Sequence, residues 1–342
     1  MSEKQFDFCI GNPPYQEQND SNGRQPPVYN TFMDAAETIA DTVELITPAR
    51  FLFDAGQTPK SWNKKKLNDP HFKVLKYESD AGRVFPNTEI KGGVAITIRN
   101  QNKDYGSIKI FTDSTEMNSV LHKVINLSKD FISSIVVGAV PYHFTDEVKG
   151  EHPEYIDDIP ESFDLRTNVL DKLDGKLFFD MKPSKGDYTK IYGLHNKRRA
   201  EMWIDTRYIN KAKNFIGYKV LISKASGAGK FGEALSDPII AGVKEGHTQS
   251  FISIGDLSTE QEAYNLESYL KTKFFRAMLS ILKKTQDLNP DKFKYVPLQD
   301  FTSSSDIDWS KSISDIDKQL YKKYGLSQDE IDFIETHVKE MA

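Results

Sequence analysis

The sequence predicts an α/β fold in which an open, largely parallel sheet precedes a mixed α+β region. Three observations predict it. An apolar run at residues 6–11 ends in a Pro-rich loop, and strand and helix patterns alternate over the first 46 residues. Beyond about residue 110, short strands alternate with turn signals. The 342 residues suffice for two domains of ordinary size.

The first strand is expected at residues 6–11, buried and parallel to its neighbour, because the run is almost wholly apolar. Residues 28–41 follow as a helix, and residues 43–46 form the next strand. This order is a βαβ unit, which implies a parallel pair. Further strands are predicted at residues 73–79 and 93–99. The predicted inward face of the helix consists of Val28, Phe32, Ala35, Ala36 and Ile39.

A distinctive loop, Asn12-Pro13-Pro14-Tyr15, follows the first strand. Ligands of open α/β sheets bind at the carboxyl ends of the strands, where this loop lies. The Asn12 carboxamide oxygen and a proline carbonyl can both accept hydrogens from an amine. Tyr15 can stack on a flat heterocycle. These groups suit an amino-bearing nucleobase that has left its duplex stack.

Residues 10–16, Ile-Gly-Asn-Pro-Pro-Tyr-Gln, resemble the catalytic motif of the amino-methylating, adenine-specific DNA methyltransferases of restriction-modification systems. Segments 45–52, 84–96, 270–276 and 293–301 are similar to later parts of the same enzymes. The resemblance implies a partial Rossmann-like methyltransferase sheet over residues 1–110. It also implies a mixed α+β target-recognition domain over 111–302 and a helical tail over 303–342.

The resemblance implies roles for individual residues. The target adenine would be flipped out of the duplex. The Asn12 oxygen and the Pro13 carbonyl would accept its amino hydrogens, Pro14 would stiffen the loop and Tyr15 would stack on the base. An aromatic residue in the late motif packs on the flipped base in related enzymes, and this role falls to Phe85. An ordinary core phenylalanine at a strand entry is the alternative for Phe85.

The methyl donor implied by the family is S-adenosylmethionine. Family members with this motif order carry a Gly-rich loop and two acidic residues before the catalytic loop, yet only eleven residues precede Asn12. Residues 227–232 form a GxGxxG after a predicted strand at 218–223. Pro238 follows too soon for a helix of normal length, which argues against a donor loop. A Gly-rich loop near DNA phosphates in the recognition domain is favoured instead.

Three accounts fit the missing donor motif. The chain is one subunit of a split enzyme whose second chain binds the donor, or part of a longer protein, or a DNA-recognition (specificity) subunit without catalysis. In all three, the chain alone is expected not to methylate DNA. An endonuclease has little support, because Asp157 and Asp158 lack a paired Glu-x-Lys.

The net charge of −5 is not that of a typical nucleic-acid binder, but the charges are unevenly distributed. Residues 182–230 contain twelve Lys or Arg against three acids, interleaved with aromatic residues. This pattern favours contact with double-stranded DNA over a merely solvated surface. The candidate DNA-binding residues are Lys197, Arg198, Arg199, Arg207, Lys224, Lys230 and Arg276.

Composition argues against several other classes. No apolar run approaches the roughly 20 residues of a membrane span, and the N-terminus lacks the features of a signal peptide. The single cysteine, Cys9, rules out an intramolecular disulfide, and no Cys cluster suggests a zinc site. A cytoplasmic protein without a metal centre or a membrane partner is expected.

Overall fold

The computed structural model describes residues 4–17, 26–53, 56–86, 90, 92–112, 114–283 and 285–341. The chain divides into two compact units, residues 1–118 and 119–342. The structure therefore groups residues 303–341 with the second unit, whereas the predicted domain boundaries at 110 and 302 stay predictions. In the part of the chain that is described, no helix is both long and apolar enough to cross a bilayer.

The first unit contains a four-stranded sheet with helices on one face. Its strands are β1 (Phe6–Gly11), β2 (Ala40–Pro48), β3 (Phe72–Glu78) and β4 (Val94–Asn100). Its helices are α1 (Tyr29–Ile39) and α2 (Lys60–Asn68), with a 3-10 helix at Ala49–Phe53. Helix α3 (Thr115–Leu127) spans the boundary to the second unit.

The sheet has the strand order β1-β2-β4-β3 and is mixed. β1 and β2 are parallel, which confirms the predicted βαβ unit. The predicted parallel arrangement does not extend to β4, which is antiparallel to both β2 and β3. The chain returns from β3 to β4 without a crossover helix, and such a return gives antiparallel neighbours. As a result β1, β2 and β3 all run in the same direction.

β1 is parallel as predicted, but it is not buried. The exposed fractions of Phe6, Phe8 and Ile10 are 55%, 64% and 72%. Within the described ranges, β1 pairs with β2 alone and so ends the sheet. Its other face carries Cys9, a half-buried free thiol that packs against the core of the unit. An apolar strand therefore forms an open edge, which natural sheets usually cover or charge.

Helix α1 packs on the sheet with a different face from the one predicted. Tyr29, Met33 and Ala36 are buried, whereas Phe32 and Ile39 are 46% and 37% exposed. The helix thus turns the i, i+4, i+7 stripe that begins at Tyr29 towards the core. The apolar residues assigned to this face lie largely beside that stripe.

Residues 60–68, a basic polar stretch in the sequence, form α2 and pack by means of one buried lysine. Lys66 is 1% exposed and its Nζ lies 2.5 Å from the Glu37 carboxylate and 2.9 Å from Asp34. Trp62 adds an Nε1–H···O bond of 2.9 Å to Asp34. A buried cation between two carboxylates thereby fastens α2 to α1.

The second unit mixes two small sheets with short helices. Its strands are β5 (Val136–Val137), β6 (Tyr188–His195), β7 (Arg198–Asp205), β8 (Tyr218–Ser223), β9 (Ile239–Ala241), β10 (Glu245–His247) and β11 (Phe251–Leu257). They form one sheet of order β10-β6-β7 and one of order β5-β11-β8-β9. Its helices are α4 (Asp146–Glu151), α5 (Val169–Lys172), α6 (Glu260–Lys271), α7 (Lys273–Ser280), α8 (Ile313–Lys323) and α9 (Gln328–His337).

Apolar residues at helical spacing predict one long amphipathic helix over residues 266–282. The structure divides this helix into α6 and α7. It breaks at Thr272, whose hydroxyl accepts the Phe275 N–H and so begins α7. Its predicted apolar face is buried, and Phe274 stacks on Tyr324 at 5.0 Å between ring centroids. The sequence Ser-Gln-Asp-Glu at residues 327–330 predicts a helix cap at Ser327, and the structure confirms it as a capping box at the start of α9.

Candidate functional site

The Asn-Pro-Pro-Tyr loop leaves the sheet at the carboxyl end of β1, as the sequence predicts. Residues 12–15 have no regular structure, and a bridge between Gln16 and Pro27 closes the loop. The Tyr15 carbonyl accepts the Val28 N–H at 3.2 Å. The loop is thus fixed at both ends, by β1 and by the start of α1.

Asn12 is the most available polar group of this loop. Its side chain is exposed, and its carboxamide makes no hydrogen bond within the described ranges. Pro13 is half-buried and Pro14 is exposed, and neither has an N–H to compete for an acceptor. The loop therefore presents a free carboxamide oxygen on a stiff backbone.

Tyr15 does not lie in an open stacking position. It is half-buried and packs against the hydrophobic core of the first unit. Its hydroxyl is enclosed and has no hydrogen-bond partner among the described residues, and burial raises its pKa. Stacking on a base would need rotation of this ring away from the core.

Phe85 lies beyond the carboxyl end of β3, at the same end of the strands as the Asn-Pro-Pro-Tyr loop. It follows β3, which runs in the direction of β1, and its N–H donates to the Ala81 carbonyl at 2.8 Å. Its side chain is half-buried. Three interstrand spacings separate β1 from β3, about 14 Å. Residues 87–89 and 91 of the late motif lie outside the described residues.

The seven candidate DNA-binding cations differ sharply in what they contact. Lys197 and Arg198 are exposed where β6 meets β7, and no described residue pairs with their side chains. Lys230 is exposed and Lys224 is half-buried. Arg199 donates to the Asp237 carbonyl at 2.7 Å and to Ser223 Oγ at 3.2 Å. Lys197 and Arg198 are therefore the freest of the predicted set.

Two of the predicted DNA-binding cations are already bound to other groups of the protein. Arg207 binds the carboxylates of Glu151 and Asp205 at 2.7 and 2.9 Å. Arg276 is 1% exposed and donates to the carbonyls of Thr272 and Lys271, both at 3.2 Å. Its burial does not fit the predicted phosphate contact, because it packs at the junction of α6 and α7.

The Gly-rich loop at residues 227–232 is filled by the protein itself. The Glu233 carboxylate accepts the N–H groups of Ala228 and Gly229 at 2.7 and 2.8 Å and pairs with Lys283. No helix opens from this loop, since the next regular element is β9. The groups that would cradle a phosphate are thus occupied by a carboxylate. This agrees with the expectation that the loop is not a donor site.

Comparison with known proteins bears on the first unit. Residues 1–85 match the family model described as Eco57I restriction-modification methylase. The predicted resemblance to restriction-modification methylases is confirmed. The methylase match contains β1, the Asn-Pro-Pro-Tyr loop and α1 to β3, and it ends at Phe85. The hairpin of β6 and β7 and the C-terminal helices α8 and α9 lie outside the matched residues.

A curated relative is similar over a shorter stretch. The "Uncharacterized adenine-specific methylase" of Mycoplasma pneumoniae (strain ATCC 29342 / M129 / Subtype 1) is 31% identical over 124 residues. These residues cover 33% of this chain and 29% of that protein. The chain thus matches less than a third of the length of its curated relative.

Two solved structures are similar only distantly. The type IIG restriction endonuclease BpuSI gives a TM-score of 0.32 at 9% identity, over 93% of this chain and 50% of that one. The Type IIL restriction-modification enzyme MmeI, solved in complex with DNA, gives 0.34 at 11%, over 96% and 56%. TM-scores of this size do not establish a shared fold.

Asn196 is an exposed polar residue that was not predicted from the sequence as part of a site. It occupies the two-residue turn between β6 and β7 with a positive φ of 50°. Two alternating strands on either side of Asn-Lys were the available signal. Among the described residues, no cluster of His, Cys, Asp or Glu could hold a metal ion.

Proposed function

We propose that this chain carries the base-acceptor part of an adenine-specific DNA methyltransferase of a restriction-modification system. The free Asn12 carboxamide at the carboxyl end of β1, within the segment that matches the methylase family, carries the proposal. The flipped adenine would donate its amino hydrogens to the Asn12 oxygen and the Pro13 carbonyl. Orienting the amine and holding the positive charge that develops on it are the loop's contributions.

Tyr15 supplies the stacking surface in this proposal, after its ring leaves the core. A base–aromatic stack contributes about 1–3 kcal/mol, and the enclosed Tyr15 hydroxyl regains hydrogen bonds to water on moving out. Phe85 supplies a second apolar contact from the same edge of the sheet. Adenine is preferred over cytosine because the curated relative is named as an adenine-specific methylase.

The described residues do not fit S-adenosylmethionine, the donor that the methylase family implies. The one Gly-rich loop of donor type is filled by Glu233 and opens no helix. Another segment, on a second chain or in a longer form of this protein, would therefore bind the donor. The open edge of β1, with three exposed apolar side chains, supports this arrangement, because a further strand could pair there.

The base-acceptor role can be tested without the donor. Duplexes from a randomised pool containing 8-azidoadenine are selected for binding to the chain, irradiated and mapped by mass spectrometry. We expect cross-links at Tyr15, lost in Tyr15→Ala, and weakened in Asn12→Ala. Cross-links confined to the second unit would contradict the proposal.

Catalysis is tested with radiolabelled donor and unmodified plasmid DNA. We expect no incorporation by the chain alone, because the donor site is not among its described residues. Robust turnover would overturn the proposed need for another donor-binding segment.

A DNA-recognition subunit without catalysis is the second candidate, and the free cations of the β6–β7 turn favour it. It predicts sequence-selective binding that survives Asn12→Ala and Tyr15→Ala and weakens when Arg198 and Arg199 are removed. Selective binding with no cross-link at Tyr15 would favour this candidate over the first.

A further inference from the structure

Strands β6 and β7 form a hairpin with a tight turn, and the third strand of their sheet, β10, pairs with β6 at residues 190–192, away from the turn. They pair without a break from Tyr188 opposite Asp205 to His195 opposite Arg198. The turn residues Asn196 and Lys197 have φ values of 50° and 62°. Two positive φ values in a two-residue loop define a type I′ turn, whose twist matches that of the strands. We call residues 196–198 the hairpin tip.

Neighbouring side chains hold the hairpin tip in place. The Asn196 N–H donates to Asp171 Oδ1 at 2.6 Å, and His195 Nε2 lies 3.1 Å from Asp174 Oδ2. On the other strand, the Arg199 guanidinium is bonded to the Asp237 carbonyl and Ser223 Oγ. The backbone of the tip is therefore fixed on both sides before any ligand binds.

The side chains of the hairpin tip are not used in this support. Asn196, Lys197 and Arg198 are exposed, and Lys197 and Arg198 have no partner in the described parts of the chain. The Asn196 carboxamide has one weak contact, 3.4 Å from His195 Nε2. Arg207, also exposed, is by contrast neutralised by two carboxylates. A rigid tip thus presents a carboxamide, an ammonium and a guanidinium to solvent.

We propose that the hairpin tip enters the major groove of DNA and reads base edges, so that it determines part of the sequence preference. The inference rests on the proposed function for its DNA partner. Between residues 192 and 199 the hairpin continues beyond β10 as a two-stranded ribbon. Such a ribbon fits the major groove, about 12 Å wide. Arginine pairs with guanine and asparagine with adenine through two hydrogen bonds each. The nearby carboxylates are already engaged, Asp171 by the Asn196 N–H and Asp174 by the ring of His195.

The test compares base preferences selected from a randomised duplex pool. Asn196→Gly keeps the positive φ and removes the carboxamide, and Arg198→Lys keeps the charge and removes the bidentate fork. We expect each to relax preference at one or two positions, by about 5- to 140-fold for the lost pair. Arg207→Lys is the matched control on a committed cation and should select the wild-type sequence.

A second measurement separates base reading from phosphate contact. The double variant Lys197→Ala/Arg198→Ala should lose preference as well as reduce the salt dependence of binding, with a slope smaller by about 2. A smaller slope with an unchanged selected sequence would overturn the inference, as would wild-type binding without preference. Thermal unfolding unchanged in all variants confirms that the fold is intact.

The two proposals fail separately. Cross-links at Tyr15 together with tip variants that select the wild-type sequence would reject the role of the hairpin tip alone. Altered selection by the tip variants without cross-links at Tyr15 would reject the base-acceptor role alone.

Discussion

The Tyr15 hydroxyl is enclosed in the first unit, and no group in the described part of the chain forms a hydrogen bond with it. An unsatisfied buried polar group costs about 1–3 kcal/mol. The ring is nevertheless packed against the core, so its apolar part stabilises the described conformation. Favourable packing and an unmet hydrogen bond thus oppose each other at this one residue, which suits the proposed movement of its ring onto a base.

We expect Tyr15→Phe to raise the free energy of unfolding by about 1 kcal/mol, because it removes the unsatisfied hydroxyl and keeps the ring. Urea unfolding of both proteins measures the change. Tyr15→Ala is the control and should destabilise the first unit through lost packing. A less stable Tyr15→Phe protein would mean that the hydroxyl finds a partner in solution.

His247 supplies a pH-dependent term in the second unit. It is fully buried, its Nδ1–H donates to the Thr248 carbonyl at 2.9 Å, and its Nε2 accepts from Ser253 Oγ at 3.2 Å. Burial lowers its pKa to about 4, with a further contribution from the positive charge of Lys219. The folded protein therefore holds a neutral imidazole that the unfolded chain protonates near pH 6.5.

The sign of the pH effect follows from this depressed pKa. Stability from His247 is fully present above pH 6.5 and is lost as the pH falls towards 4, by a total of about 3 kcal/mol. Urea unfolding of wild-type and His247→Gln protein between pH 4 and 7.5 isolates the effect. The difference between the two should shrink on acidification; a constant difference would contradict it.

At the scale of elements, the Gly-rich loop is occupied by a carboxylate of the protein itself. Gly227, Gly229 and Gly232 have positive φ values, and a Cβ at Gly227 would overlap the Glu233 carboxylate. Glu233 in turn pairs with Lys283, whose side chain is 3% exposed. The loop therefore holds the carboxylate that pairs with this buried lysine.

Glu233→Ala should cost about 3–5 kcal/mol of unfolding free energy, because it leaves the Lys283 ammonium buried without its carboxylate. Lys230→Ala, in the same loop but exposed, is the matched control and should change stability by less than about 0.5 kcal/mol. Thermal and urea unfolding measure both. Equal, small effects would show that Lys283 reaches solvent when unpaired.

At the scale of the whole molecule, the first unit ends in an open apolar strand. β1 leaves one row of backbone groups unpaired and exposes Phe6, Phe8 and Ile10. Parallel strands are usually covered on both faces, so the exposed apolar side chains of β1 are unusual for a parallel strand. It is the surface on which a further strand, or another copy of the chain, would pair.

We expect the isolated chain to self-associate through β1. Ile10→Lys should lower the concentration-dependent increase in apparent mass without lowering the melting temperature, because the side chain is 72% exposed. Leu127→Lys, at a 62% exposed leucine outside the sheet, is the control and should leave association unchanged. Sedimentation velocity over a range of concentrations measures this; unchanged association in Ile10→Lys would rule out the β1 edge.

Local sequence patterns predicted much of the fold. The βαβ order, the placement of the Asn-Pro-Pro-Tyr loop and the cap at Ser327 depend on residues close in the chain, and each is as predicted. The predicted inward face of α1 was wrong, because that face depends on how the helix meets the sheet. Which cations are paired within the protein could not be predicted either, because the fold brings Arg207 and Arg276 to their partners.

The sequence by itself determined the chemistry on offer, namely a carboxamide, two prolines and a tyrosine after an apolar strand, together with a basic, aromatic-rich segment. These are properties of residue type and spacing, and the methylase match supports the first of them. Only the tertiary structure decided which groups are available. Pairing and burial are set by long-range contacts, and these enclose the Tyr15 hydroxyl, occupy Arg207 and fill the Gly-rich loop, while Asn12, Lys197 and Arg198 stay free.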